Sequence, residues 1–294
     1  MVKGNSARLK VSEDMLKACI RDLYINPREE ILKWSKITNQ TAQGKFAYPS
    51  QHLASLITSM KGGGSAARGD DLADGSEVKS CSKADQLGAC KDCGTSVLVW
   101  QTQCPNCGSV NIKRDSSSHW IFPLRSASEL DLLLNKVPRI VLVLFDKEDQ
   151  TSADIRIRAW TVNPREKYVI DFFTDYYVNN FQKKSASGGT PAPCNLHPLK
   201  YDFFMMKPKL IFHADIKDDK ITIKFWNLNK PLEQPMFSSL LSRQSLITIF
   251  GESLSKLSKI EIVTKHSLIP QRDFDKLRMK VKKLKSYKVK YTRR

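Results

Sequence analysis

The hydrophobic positions of this chain change their spacing along its length. Between residues 12 and 60 the apolar side chains recur at helical intervals, as in the series Met15, Leu16, Cys19, Ile20 and Leu23. We predict a first helix there and a second that begins at Asn26-Pro27, because Pro favours the first helical position. A third is predicted from Pro49 to the glycine run 62–64, where glycine disfavours helix. The N-terminal part is therefore expected to be helical.

From about residue 140 the pattern is typical of strands. The segment RIVLVLF, residues 139–145, is apolar without interruption, which predicts a strand buried on both faces. The segment ADIRIRAWTV, residues 153–162, alternates instead. Residues 209–215 and 220–226 predict a hairpin joined by an acidic turn at 216–219. Between the strands, residues 182–194 are rich in Ser, Gly and Pro and predict a surface loop.

Two cysteine pairs lie between the helical and strand-rich parts. Cys90 and Cys93 form one C-x-x-C pair, and Cys104 and Cys107 form the other. Two such pairs can complete a tetrahedral shell of four sulfurs around zinc, with no open position for catalysis. We predict a structural zinc ribbon at residues 86–118; the alternatives are reduced buried cysteines or an iron–sulfur cluster. We further expect a short hairpin between the pairs.

The overall charge points to a polyanionic partner. The chain has 48 Lys and Arg against 30 Asp and Glu, a net charge of +18. Such an excess attracts polyanions, and nucleic acid is the leading expectation. Residues 276–294 contain ten of the Lys and Arg residues and no acid, so part of the charge belongs to a basic tail.

The chain lacks the sequence features of export or membrane insertion. Its N-terminus has no apolar signal-peptide segment, and no apolar run is long enough to span a bilayer. The seven cysteines, an odd number, fit a reducing compartment better than a disulfide framework. We expect a cytoplasmic protein of prokaryotic type with no membrane partner.

One acidic stretch, RGDDLADGSEVKSCSK at residues 68–83, stands out from this basic background. In a strand, Glu77 and Lys79 would point to the same face. If the chain turns at Asp74-Gly75, an earlier Asp returns beside Glu77 and two carboxylates converge near an ammonium group. Carboxylates of this kind are typical ligands of magnesium, and the carbonyl of Val78 could add another.

This arrangement suits hydrolysis of a phosphodiester bond. Magnesium would polarise the phosphate and activate water, while Lys79 would position the water or stabilise the developing charge. On the preceding helix, Gln51 and His52 could approach the metal or its waters. The alternative is that the acids form a solvated turn before an ordinary strand.

The motif Asp70 or Asp71 followed by Glu77-Val78-Lys79 resembles the PD-(D/E)xK nucleases, although Gly69 or Asp70 replaces the usual Pro. Residues 47–125, with YPSQHLASLITSMKG, the acidic stretch and the cysteine pairs, resemble type II restriction endonucleases of the MamI group. The family pattern D-[FL]-x-x-G-x-E-x-K favours Asp71 as the metal ligand, whereas a seven-residue spacing from Glu77 favours Asp70. We rank Asp71 first, Asp70 second and Asp74 third. Catalysis is thereby assigned to Asp71 or Asp70 with Glu77 and Lys79, and magnesium to Asp71 and Glu77.

The resemblance implies an α/β fold with a restriction-endonuclease-like core, in which helices flank a mixed sheet. We divide the chain into N-terminal helices with the catalytic motif (1–85), an inserted zinc ribbon (86–118) and a strand-rich remainder with the basic tail (119–294). The implied activity is magnesium-dependent cleavage of double-stranded DNA at a short specific sequence. A homodimer is expected, because a twofold site has two strands to cut.

Candidate DNA contacts are the arginines Arg68, Arg156, Arg158 and Arg272, since Arg reads base edges and phosphates. Two rival functions stay open. The Asp-to-Glu spacing also resembles MutH-type nickases, which would make the protein a DNA repair or nicking endonuclease. A protein of another class would bind nucleic acid through the zinc ribbon and be indifferent to Glu77 and Lys79.

Overall fold

A computed structural model describes residues 7–64, 71–115, 117–147 and 153–232. Four sequence predictions therefore lie outside the described residues. These are the roles of Arg68, Asp70 and Arg272, and the basic tail at 276–294.

A five-stranded sheet forms the centre of the described structure. Its strands, in spatial order, are β1 Glu77–Ser82, β6 Ile140–Asp146, β7 Ile155–Val162, β9 Lys209–Lys217 and β10 Lys220–Trp226. β1 pairs with β6 in parallel, whereas the other neighbours are antiparallel, so the sheet is mixed as predicted.

The apolar pattern explains why the strands hold these places. Every residue of β6 is buried, which confirms a strand covered on both faces. β9 and β10 form the predicted hairpin, but the turn is tighter than expected. It consists of Asp218 and Asp219, both at positive φ, as a two-residue hairpin turn requires.

Helices from the N-terminal part cover one face of the sheet. They are α1 Glu13–Ile20, α2 Asn26–Thr38 and α3 Ala47–Thr58. Leu16, Leu53 and Ile57 pack there with Val141 and Phe145 of β6. The hydrophobic stripe of the helices thus becomes part of one hydrophobic core of the described structure.

The second helix begins at Asn26 as predicted, whereas the bounds predicted for the third helix were wrong. A π-helical turn, Arg21–Ile25, joins α1 to α2, and Ile25 has helical dihedral angles, so the backbone does not break at Asn26. Proline is still accommodated because it stands in the first turn of α2. α3 begins before Pro49 and ends at Thr58, where Ser59 adopts the left-handed conformation that terminates the helix ahead of the glycine run.

The second face is covered by a small sheet and shorter helices. β5 Trp120–Phe122 pairs with β8 Cys194–Leu196, and the helices are α4 Ala127–Asp131, α5 Lys167–Asp175, α6 Lys183–Ala186 and α7 Tyr201–Met205. Trp120, Phe122 and Phe173 fill this second core. The predicted loop at 182–194 was partly wrong, because its first residues continue the helix through α6 and Cys194 begins β8.

A separate three-stranded sheet lies between β1 and β5 in the chain. Its strands, in the order β3, β2, β4, are β2 Gly88–Cys90, β3 Ser96–Val97 and β4 Ile112–Arg114. β3 pairs with β2 rather than within a hairpin between the cysteine pairs, so that local prediction was wrong. Within the described ranges, none of the helices is both long and apolar enough to cross a membrane.

Candidate functional site

A tight loop brings the acidic stretch to the edge of the central sheet. The amide of Gly75 donates to the carbonyl of Leu72 at 2.8 Å, and Gly75 has a φ of 83° that favours glycine. Leu72 is buried in the core beneath α3, which fixes one side of the loop. The predicted turn at Asp74-Gly75 is present, and it returns the chain towards β1.

Asp71 is held by both of its carboxylate oxygens. Oδ1 accepts from Nε2 of Gln51 at 2.6 Å, and Oδ2 accepts from the backbone amide of Val78 at 2.7 Å. β1 is an outer strand of the sheet, and the neighbouring amide of Glu77 donates to the carbonyl of Arg139 on the β6 side. The amide of Val78 therefore points to the opposite, outer edge, where Asp71 lies.

The side chains of Glu77 and Lys79 lie on one face of β1, and the side chain of Val78 lies on the other. Their side chains form an ion pair, and Glu77 is only 6% exposed. Nζ of Lys79 lies 5.8 Å from the centre of the Phe122 ring. The predicted pairing of an acid and a base at i and i+2 is thus present, in a partly buried setting that strengthens electrostatic interactions.

A small pocket of about 30 Å³ opens beside this pair. It is lined by Glu77, Lys79, Phe122 and Glu129 together with apolar residues of the α4 region. A volume of this size holds about one water molecule. Glu129 also caps α4: its amide donates to Oγ of Ser126 at 3.2 Å and its carboxylate accepts from the amide of Arg125. Our sequence reasoning missed Glu129, although Ser126-x-x-Glu129 is a capping-box pattern.

Asp74 lies on the same loop but has structural partners. Its Oδ2 accepts from Arg139 at 2.6 Å, and its Oδ1 accepts from the amide of Ser76 at 3.0 Å. Arg139 also donates to the hydroxyl of Ser76 at 3.1 Å. Asp74 is therefore engaged in holding the loop against the start of β6, which favours Asp71 over Asp74 as a metal ligand. Sequence reasoning had no signal for Arg139, because its proximity depends on the pairing of β1 with β6.

The two candidate residues of α3 differ. Gln51 reaches the site through its bond to Asp71. His52 is exposed on the same helix, and a role for it stays a prediction.

The four paired cysteines form a compact cluster. Their sulfur atoms all lie within 4.8 Å of one another, with Cys90 and Cys107 at 3.6 Å and Cys93 and Cys104 at 3.5 Å. A tetrahedron of zinc–sulfur bonds places sulfurs about 3.8 Å apart, whereas a disulfide places them about 2.0 Å apart. The distances therefore fit a four-sulfur metal site.

The two cysteine pairs have the same local structure. The amide of Gly94 donates to the carbonyl of Cys90 at 2.9 Å, and that of Gly108 donates to the carbonyl of Cys104 at 2.9 Å. Both glycines have positive φ, which lets each turn close under its pair of sulfurs. Arg114 donates to the carbonyls of Val97 and Leu98, tying β4 to the segment between the turns.

Arg156 and Arg158 lie inside the molecule. Both donate to Oδ2 of Asp146, at 3.0 and 2.6 Å, and Arg158 is 0% exposed. Burial lowers the pKa of Arg158, and Asp146 opposes that shift. On the neighbouring strand β9, His213 and Asp215 lie on the same face as the two arginines. Nε2 of His213 is 2.9 Å from Oδ1 of Asp215. This burial favours a structural role for the two arginines; their predicted contact with DNA has no support in this arrangement.

Comparison with known proteins places this geometry in a family. The sequence profile of the MamI restriction endonuclease family matches residues 33–243, which include α3, the acidic loop, the cysteine cluster and the whole central sheet. The chain belongs to the MamI restriction endonuclease family. This confirms the resemblance drawn from the motif and the cysteine pairs.

A named relative is also similar. The chain is 32% identical over 154 residues to the type II restriction enzyme MamI of Microbacterium ammoniaphilum. That alignment covers 52% of this chain and 44% of the relative, so the chain spans less than half of the relative's length. No solved structure matches the chain.

Proposed function

We propose that this protein is a type II restriction endonuclease that hydrolyses phosphodiester bonds of double-stranded DNA at a short specific sequence, with magnesium as cofactor. One observation carries the proposal: the carboxylate of Asp71 is bonded to the amide of Val78, the residue between Glu77 and Lys79. This bond holds the carboxylate of Asp71 against the part of β1 that carries Glu77 and Lys79, which supports a site made of two acids and a lysine. Family membership supports the reaction class.

The donors at this point suit a hard divalent cation. Asp71 and Glu77 supply carboxylates, and the carbonyl of Val78 points to the same edge as its amide because the two groups of a strand residue share a side. Magnesium is bound by one or two carboxylates with waters and phosphate oxygens, so the set fits it. When bound, the ion would polarise the scissile phosphate and lower the pKa of a bound water.

The protein groups have separate tasks in this proposal. Asp71 and Glu77 would hold the ion, and Gln51 orients Asp71 through its bond to Oδ1. Lys79 lies between Glu77 and the Phe122 ring, where its ammonium can orient the attacking water and stabilise the charge that develops on the phosphate. The cysteine cluster takes no part in this chemistry, since a zinc ion with four sulfur ligands has no open position.

The partners follow from the reaction. Double-stranded DNA is the proposed substrate, and a net charge of +18 favours its approach. Cutting both strands of a twofold sequence requires two sites, so we propose a homodimer.

The test is digestion of intact unmethylated plasmid by the purified protein, followed by sequencing of the fragment ends. We expect discrete fragments that share one short sequence and that require magnesium. Glu77→Gln keeps the size of the side chain and should abolish cutting, whereas Glu13→Gln, on the exposed surface of α1, should cut normally.

The rival functions predict different results. Nicking of mismatched or branched DNA with little cutting of intact plasmid would indicate a repair or nicking endonuclease. DNA binding without cleavage of any substrate, equal in the wild-type and Glu77→Gln proteins, would overturn the enzymatic proposal and leave a nucleic-acid-binding protein.

A further inference from the structure

Four basic side chains come together beyond the end of β1, on the face that carries Glu77 and Lys79. Lys83 follows Lys79 by four positions, and its amide donates to the carbonyl of Phe145, which continues the parallel pairing of β1 with β6. Even spacing along an extended chain puts Lys79 and Lys83 on the same face. His119 precedes β5, His197 follows β8, and Lys200 precedes α7.

The two histidines form a cross-strand pair. β5 and β8 are antiparallel with Trp120 opposite Leu196, so His119 and His197 are next in register. Their ring centroids are 5.0 Å apart in an edge-to-face arrangement. The small sheet thus presents both imidazoles at one end, beside Lys83 and Lys200.

This cluster gathers basic side chains under partial burial. The pKa of His197 is lowered to about 4, first by burial and then by Lys200, His119 and Lys83, so the charged groups that act on His197 are all basic. The pKa of Lys83 is also lowered, first by burial and then by Lys200 and Arg158, against opposing effects of Cys81 and Asp146.

The carboxylate that acts on Lys83 already has arginine partners. Asp146 attracts Lys83, but its Oδ2 is bonded to Arg156 and Arg158 inside the molecule. Among the described residues, no carboxylate forms an ion pair with these basic groups, and basic groups that share a partly buried place destabilise one another's charged forms. An anion bound among them would reverse that effect, and the half-buried imidazoles with the exposed Lys200 leave the cluster open to solvent on one side.

The position of the cluster suggests which anion it binds. Four residues of extended chain span about 13 Å, which sets the separation of Lys83 from Lys79. One strand of DNA carries a phosphate for about every 3.4 Å of helix axis, so a duplex whose scissile phosphate lies at Lys79 has further phosphates at this range.

We propose that Lys83, His119, His197 and Lys200 bind a backbone phosphate of the DNA a few nucleotides from the scissile phosphate. The proposal rests on the proposed function, because the distance is measured from the candidate catalytic lysine. The contact carries no base information: it fixes the position of the duplex on the face of β1.

The test measures binding of a short DNA duplex to proteins that also carry Glu77→Gln, so that cleavage does not interfere. Lys200→Ala and, separately, His197→Gln should each weaken binding roughly tenfold, as expected for loss of a charged hydrogen bond. Lys200→Ala should also reduce the slope of log affinity against log salt by about one. The matched control is Lys36→Ala, an exposed lysine of α2 outside the cluster.

Proton uptake by His197 gives an independent measurement. In the free protein its imidazole signal in NMR should titrate near pH 4. Saturation with DNA should move that titration upward, because the phosphate stabilises the imidazolium ion. Binding should accordingly strengthen as the pH falls from about 7 to about 5, and His197→Gln should reduce this dependence.

Two results would overturn the proposal: affinities and salt slopes of Lys200→Ala and His197→Gln equal to those of Lys36→Ala, or an unchanged titration of His197 in the complex. Should His197→Gln melt early, the exposed Lys200→Ala decides the question. Failure of the enzymatic proposal is separable, because a protein that cleaves no DNA could still lose affinity in Lys200→Ala.

Discussion

The two candidate metal sites of this protein are built in opposite ways. The cysteine cluster takes all its ligands from 18 consecutive residues, 90–107, folded by two similar turns. The carboxylate site combines Gln51 of α3, Asp71 of the loop and Glu77 with Lys79 of β1. A site made of local turns can be read from spacing alone, whereas one made of separate elements exists only after the sheet and helix have packed.

The difference extends to chemistry. Four sulfurs fill the coordination shell of zinc, so the first site can stabilise structure but has no position for a substrate. The second offers few protein ligands and leaves positions for water and phosphate. We therefore propose that one site serves folding and the other serves the reaction.

The largest effect is expected at Asp71. Asp71→Asn should reduce cleavage about 10³-fold or more, because it removes charge from a proposed metal ligand, an interaction that contributes several kcal/mol. Asp74→Asn should retain most activity, since its ion pair with Arg139 is about a quarter exposed and contributes roughly 1 kcal/mol or less to stability. Cleavage rates and melting temperatures of both variants make the comparison. An inactive Asp74→Asn beside an active Asp71→Asn would reverse our ranking.

The second effect concerns the cysteine cluster. Cys104→Ser should lose bound zinc and lower the melting temperature, because binding of a structural metal is realised as folding free energy. Cys19→Ser, outside the cluster, should keep both zinc and stability. Elemental analysis and thermal melting measure the two quantities. Active wild-type protein without zinc would contradict the structural role, and one with iron instead would support the alternative cluster.

The sequence was most informative where neighbours in the chain are neighbours in space. The cysteine pairs and the shared face of Glu77 and Lys79 followed from local geometry, as did the buried β6. The alternation of β7 placed Arg156 and Arg158 on one face, but it could not tell that Trp120 and other residues of the second core cover that face. The alternating pattern suggested that the two arginines are exposed. In the structure both are buried and form ion pairs with Asp146.

Contacts that depend on packing explain the other differences between the sequence predictions and the structure. Arg139 meets Asp74 only because β1 and β6 run in parallel, a pairing between segments more than 60 positions apart. Likewise the helix passes Asn26 without a break because a π-helical turn absorbs the junction. The residue types at Asp74 and at Asn26 indicated a turn and a helix start. They did not determine the contacts that these residues make.

The smallest effect tests how α3 supports the carboxylate site. Gln51→Ala should raise the magnesium concentration needed for half-maximal cleavage about tenfold, as expected when a residue that orients a metal ligand is lost. His52→Ala is the matched control, because it alters the next residue of the helix at an exposed position. Titration of cleavage against magnesium measures both. A shift in His52→Ala as large as that in Gln51→Ala would mean that the helix as a whole, rather than the bond from Gln51 to Asp71, sets the affinity for the ion.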